Sequence, residues 1–149
     1  MSRIESPAGW GRKDWMSVLA KAPPARLAEL MPDLPDHSLL RPPEIGAVMV
    51  RGRVGGTGTA FNLGEMTVTR ASVRLGCGTV GHAWVQGRDR AHATRAALAD
   101  ALMQTGRAGE VEPILATLRA EAQAATASRA AKAAATRVEF FTMVRGEDQ

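Results

Sequence analysis

From Glu44 to Gly87 the apolar residues recur at every second position, whereas on both sides they recur at three and four. That change of period constrains the fold more than any other feature. A period of two buries one face of a strand and a period near 3.6 one face of a helix, and neither pattern serves for the other. Upstream, Trp15, Val18, Leu19 and Ala22 lie on one helical face, and Pro23-Pro24 ends that helix. Leu27, Leu30 and Met31 mark a short second helix stopped by Pro32. Residues 32–43 hold four prolines and read as a connector. Val48, Val50 and Val54 then alternate with Met49, Arg51 and Arg53, as in a half-buried strand. Met66 and Val68 share a face, but the next apolar positions are Ala71, Val73 and Leu75. This one-residue flip predicts a bulge near Arg70. Gly76-Cys77-Gly78 reads as a tight turn and residues 79–86 as a third strand, which completes an antiparallel meander.

Downstream the helical period returns. Asp89 is placed to cap a helix running to about Gln104, with Leu98, Ala101 and Leu102 facing inward. A longer helix begins near Glu110, with Pro113 tolerated in its first turn. Its expected stripe is Val111, Ile114, Leu115, Leu118, Ala122 and Ala125. From Ala116 to Ala135 it is rich in Ala, which favours helix but offers little apolar bulk. A helix of about 25 residues spans ~37 Å, more than so small a domain needs, so its rear is expected to project towards partner chains. Residues 138–144 read as a last strand that adds to this sheet or to a partner's. The predicted fold class is α+β: an antiparallel sheet of three to four strands with N-terminal helices and two longer helices. A single domain over residues 1–149 is expected, with residues 1–9 as a loose lead-in.

Three Phe, three Trp, no Tyr and an apolar share dominated by Ala leave a thin core for 149 residues, so part of the burial is expected to come from a partner. The net charge is +4 and the pI about 10.2, carried mostly by Arg, with Lys only at 13, 21 and 132. Arg suits bidentate contact with phosphate and carboxylate. The arginines are scattered and not interleaved with aromatics, which argues against a nucleic-acid surface. Cys77 is the one cysteine, so no internal disulfide can form. The chain has no run of 18 apolar residues, and Met1–Pro7 lacks a signal-peptide core; the expectation is a cytoplasmic protein.

The residues richest in chemistry lie in Gly55–Arg70, where four glycines, an amide, a carboxylate, hydroxyls and an arginine sit between two strand-like segments. The glycines allow backbone to approach a ligand or another backbone closely. No Gly-Lys-Ser/Thr follows, so this is not a P-loop. Gly56-Thr57-Gly58 lacks the third glycine of a dinucleotide fingerprint and leads into a strand. The alternatives left open are a flexible hairpin connection, a phosphate contact and a subunit contact. Gly56, Gly58, Asn62, Arg70 and Arg88 are the candidate ligand or interface contacts. Arg88-Asp89-Arg90 opens a helix, where anions are favoured, although capping by Asp89 between two solvated arginines is the default reading. Glu65 could pair with Arg70 if a bulge brought them to one side. His82 shares a face with Trp84. Cys77 and His82 have no further ligand nearby, so no metal site is expected, and Cys77 has no cation beside it in sequence to lower its pKa. No nucleophile–base–orienter set emerges.

Several strings resemble one family. They are Trp15-Met16-Ser17-Val18-Leu19-Ala20, Gly55-Gly56-Thr57-Gly58, the Thr67–Arg74 strand, Trp84-Val85-Gln86-Gly87-Arg88-Asp89, Asp100-Ala101-Leu102-Met103-Gln104 and residues 138–146. In order and over nearly the whole length, the chain resembles the G subunits of the bacterial carbon–phosphorus lyase core complex, the PhnG family. Along the Ala-rich helix the likeness is compositional only. The resemblance implies a role in using phosphonates as a phosphorus source. It implies assembly with H, I and J subunits into a cytoplasmic complex holding two copies of each. With the H, I and L subunits, it implies a part in displacing adenine from ATP by a phosphonate, to give a ribose 1-phosphonate 5-triphosphate. Radical cleavage of the carbon–phosphorus bond falls to the J subunit with its iron–sulfur cluster, and the single cysteine here agrees with that division. No cofactor of this chain's own is implied; ATP is a co-substrate of the complex. The resemblance carries over no catalytic residue. If it misled, the alternative would be a basic nucleic-acid-binding or adaptor module without enzymatic role.

Overall fold

The computed structural model of the chain describes residues 9–138. Their elements follow in the order α1 (Arg12–Lys21), α2 (Pro24–Leu30), β1 (His37–Arg53), β2 (Ala60–Leu75), β3 (Val80–Gln86), α3 (Arg90–Met103) and α4 (Ala108–Ala135). Among the described residues the sheet is antiparallel and three-stranded, in the order β1-β2-β3. The expected C-terminal strand lies outside the described residues. The chain divides into two compact units, one ending at Arg119 and the other beginning at Ala120.

The first unit holds the core. On β2, Thr69, Ala71, Val73 and Leu75 are buried, and Ala83 and Val85 join them from β3. Helix α3 packs against both strands, with α1 and α2 against α3. Close approach is possible because Gly81 has no side chain. A Cβ there would stand 2.6 Å from the Ala101 backbone N and 2.8 Å from its Cβ, which is why the helix facing this strand is built from Ala93, Ala96, Ala97 and Ala101. The larger apolar side chains Trp15, Leu19, Leu27, Leu98, Val111 and Leu115 close the periphery.

Local chemistry fixes the ends of the elements. Asp89 Oδ1 accepts from the His92 backbone N at 2.8 Å, the cap expected for α3. Pro24 stands at the start of α2, where its missing N–H costs nothing. Gly78, at φ 89°, makes the turn between β2 and β3.

Three expectations are corrected. Residues 37–43 are strand, so the connector shortens to the loop before His37. Pro42 and Pro43 are tolerated because β1 is an edge of the described sheet and is irregular there. The bulge is not on β2 at Arg70, since β2 pairs with β3 without a break from Val68 to Arg74. Opposite this stretch the extra residues lie on β1, between Leu39 and Arg41 and between Arg41 and Glu44; the one extra residue on β2 is Leu63, opposite the Val50–Arg51 step. The apparent flip on β2 has another source. Thr69, a polar residue, belongs to the buried face, while Val68 belongs to the opposite one. The α4 stripe stops at Leu118; Ala122 and Ala125 are exposed.

In the second unit, the rear of α4 is exposed at every described position from Ala120 onward. A methyl group buries too little area to hold a helix face against anything, so its helicity rests on Ala propensity.

Candidate functional site

Pairing of β2 with β3 ends at Val68. Beyond it, residues 47–53 of β1 and 60–67 of β2 continue as a two-stranded arm among the described residues. The arm exposes Met49, Phe61 and Leu63, with Val54 at its turn, and Ile45 is exposed on β1 just before it. At its tip, Val54–Gly56 form a 3₁₀ turn in which Gly55 and Gly56 have φ of 58° and 83°, a region that disfavours side chains. Gly58 is required for a different reason. Its N–H donates to Val54 O at 2.8 Å, and a Cβ would lie 2.7 Å from that oxygen.

Three of the five sequence-predicted contacts meet at this tip. Gly56 and Gly58 are in the turn, and Asn62 is the cross-strand partner of Arg51. The structure adds two residues that the sequence reading passed over as the polar alternates of a strand. Arg53 Nη1 donates to Gly58 O at 3.1 Å, and a concavity of about 460 Å³ is lined by Arg51, Gly52, Arg53, Gly56 and Ala60. Their signal in the sequence was charge balance, because Arg51 and Arg53 are the sole charges between Val50 and Gly64.

Arg70 belongs to a second place, eight positions from Asn62 along β2, roughly 26 Å at the strand rise. Across the sheet it faces Glu44 on β1 and Trp84 on β3. Its Nη2 is 2.9 Å and its Nε 3.1 Å from Glu44 Oε2, and its guanidinium carbon lies 5.6 Å from the Trp84 ring centroid. The Arg70 hydrogen bond, then its charge, hold the Glu44 carboxyl below the usual carboxylate range. Arg70 therefore pairs with Glu44, and Glu65 is opposite Met49 instead. Beside this cluster, Ser72 Oγ and His82 Nδ1 are 2.8 Å apart.

Arg88 stands in a third place, exposed in the β3–α3 turn. Gly87, at φ 94°, donates its N–H to Thr67 O at 2.9 Å and accepts from Thr69 Oγ1 at 2.8 Å, which fastens the turn to β2.

Asp100 was not singled out as a site. It is fully buried, and its carboxylate accepts from Arg12 Nε and Nη2 (3.1 and 2.7 Å), Trp15 Nε1 (2.9 Å), the His82 backbone N (2.9 Å) and Gln104 Nε2 (3.3 Å). Gln104 Nε2 also donates to Val80 O at 3.0 Å. Asp100 and Gln104, one helical turn apart, thus occupy backbone groups on the side of β3 facing away from β2. They tie α1, α3 and the sheet together and blunt that part of the edge against further pairing. In sequence, Asp100 shows as one carboxylate inside an Ala-rich apolar run.

Cys77 also differs from expectation. It is exposed, and the Thr79 hydroxyl, 3.4 Å from its Sγ, is the main group drawing its pKa below the ordinary thiol value. Arg107 adds a smaller share from the α3–α4 junction, thirty residues on. No group of three or more His, Cys, Asp or Glu among the described residues is arranged to hold a metal, and no described helix is long and apolar enough to cross a membrane.

The fold and its sites define a small α+β protein whose arginines, amide and glycines lie on open sheet and turns rather than in an enclosed cleft. Comparison with known proteins takes the definition further. The family profile described as "Phosphonate metabolism protein PhnG" matches residues 11–146. The chain is 46% identical over 141 residues, 92% of its own length and 90% of the relative's, to the "Alpha-D-ribose 1-methylphosphonate 5-triphosphate synthase subunit PhnG" of Rhizobium meliloti (strain 1021). The chain belongs to the PhnG family of phosphonate metabolism proteins.

Proposed function

We propose that this chain is a subunit of a cytoplasmic ribose 1-methylphosphonate 5-triphosphate synthase, a transferase that acts on ATP and a phosphonate. In the reaction, a phosphonate oxygen forms a bond to ribose C1 while the C1–N9 bond breaks. Adenine departs with the bonding electron pair and takes up a proton, and the 5-triphosphate is untouched. The observation that carries this reading is the 46% identity to the subunit so named, over nine-tenths of both chains. The physical features agree with a partner-dependent role. The arm leaves apolar side chains exposed on two strands with no third beside them among the described residues, an arrangement of marginal stability in water. The rear of α4 is helix without a buried face. The chain contributes binding surface, and the H, I and L subunits complete the active site. With H, I and J this chain forms the core assembly, two copies of each, and L acts with it in the synthase reaction.

The test is co-expression with the H, I and J subunits, with a tag on this chain alone, followed by a synthase assay after addition of the L subunit. Stoichiometric recovery of all four chains and formation of the ribose phosphonate triphosphate is the expected result. Recovery of this chain by itself, folded and soluble, would overturn the reading in favour of a free-standing adaptor.

A further inference from the structure

The arm tip combines features that the subunit role does not itself require. Arg51 and Arg53 are two positions apart on β1, so both side chains leave the same face. Both line the concavity at the tip, with Gly52, Gly56 and Ala60. No carboxylate lies between Val50 and Gly64 to neutralise them, and neither forms an ion pair among the described residues, in contrast to Arg12, Arg26, Arg41, Arg70 and Arg107. Arg53 uses one N–H on Gly58 O, which fixes its guanidinium against the turn and leaves its remaining donors for a ligand. Below it, the turn is drawn in by the Gly58–Val54 hydrogen bond and passes through left-handed conformations at Gly55 and Gly56. Turns of this kind present successive N–H groups to an anion. Thr57, Thr59 and Asn62 add short polar side chains and no negative charge.

We infer that the tip of the β1–β2 arm binds a polyphosphate, with Arg51, Arg53 and the amides of Gly55 and Gly56 as its ligands. This inference rests on the proposed synthase role and deepens it. The polyphosphate is the triphosphate tail that ATP and the product share, and the arm carries these ligands to an active site that the partner subunits complete. Such a contact acts before and after adenine leaves, because the tail is unchanged by the reaction. Its loss is therefore expected mainly in KM for ATP, with a smaller effect on kcat.

The test uses the assembled wild-type complex and its Arg51→Ala, Arg53→Ala and Arg53→Lys forms, with inorganic tripolyphosphate as the probe. The expected result is an increase of roughly tenfold or more in both KM for ATP and the inhibition constant of tripolyphosphate in Arg53→Ala, as befits loss of a charge-assisted contact. Arg51→Ala should show a smaller increase, and Arg53→Lys should restore part of the loss. A second measurement needs no variant: in the wild-type complex, tripolyphosphate should protect Arg51 and Arg53 from phenylglyoxal, read peptide by peptide. Unchanged constants, or labelling at both arginines that tripolyphosphate does not slow, would overturn the inference. Loss of Arg53→Ala from an otherwise complete complex would overturn it too, by making the tip a protein contact. A wild-type complex that assembles and turns over while the tip responds in none of these ways defeats the inference alone. A wild-type chain that assembles with nothing defeats the synthase reading.

Discussion

One sheet carries two regions built on opposite terms. Where β2 pairs with β3, α3 covers one face, Ala and Gly let the layers meet closely, and the buried charge of Asp100 is met by donors from α1, β3 and its own helix. Where β2 runs on with β1 alone, the strands are uncovered among the described residues, the large apolar side chains are exposed, and neither Arg51 nor Arg53 has a counter-charge among those residues. The first region makes the chain a folded body. The second leaves its arginines and apolar side chains exposed. The difference suggests that stability and function are separable here by position along a single strand, and substitutions in the two regions should behave accordingly.

The largest effect is expected at Asp100. Asp100→Ala leaves Trp15 Nε1, the His82 amide and part of Arg12 without an acceptor in a dry place, and should cost about 3–5 kcal/mol of unfolding free energy in urea titrations. A loss under 1 kcal/mol would mean that water replaces the carboxylate and that the cluster is not what ties α1 to the sheet. Next comes Gly81→Ala. Its methyl would press on the backbone of α3, and a drop of about 2–3 kcal/mol, measured the same way, is expected. Asp89→Ala removes the α3 cap and should cost about 1 kcal/mol. On the arm, Phe61→Ser should change the stability of the isolated chain by less than about 0.5 kcal/mol while lowering recovery of partner subunits in the tagged co-expression. Equal losses from Phe61→Ser and Gly81→Ala would erase the contrast between the regions.

The smallest effect is electrostatic. Glu44 is held below the usual carboxylate range by Arg70, so its folded-state pKa is depressed. The resulting stabilisation is present above the unfolded pKa and lost as pH falls through the lower folded value. The urea midpoints of the wild-type chain and Glu44→Gln should differ slightly at pH 7 and converge below the depressed value. The residue is exposed, so salt should shrink the difference at pH 7.

What could be read from the sequence follows the range of the interactions. The α3 cap was legible because Asp89 and His92 are three residues apart, and β3 because its alternation is unbroken. The start of β1 was not, because Pro42-Pro43 looks like a break when nothing reveals that the strand lies at an edge. The bulge was assigned to β2 because the shift in apolar positions shows there, although its structural irregularity is on β1 opposite. Asp100 escaped notice because all its donors but Gln104 come from 18 to 88 residues away, and Arg107 was missed beside Cys77 for the same reason. Gly56, Gly58 and Asn62 were singled out by composition, whereas the cross-strand register is what sets Arg51 against Asn62.

Amide hydrogen exchange tests most directly whether the arm is a surface reserved for the partner subunits. It should be recorded on the isolated chain and on the co-expressed complex. The account predicts slow exchange along α3 and β3 in both, and fast exchange over residues 47–53 and 60–67 in the isolated chain that slows markedly in the complex. An arm as protected in the isolated chain as α3, or one that exchanges equally fast in both states, would contradict it.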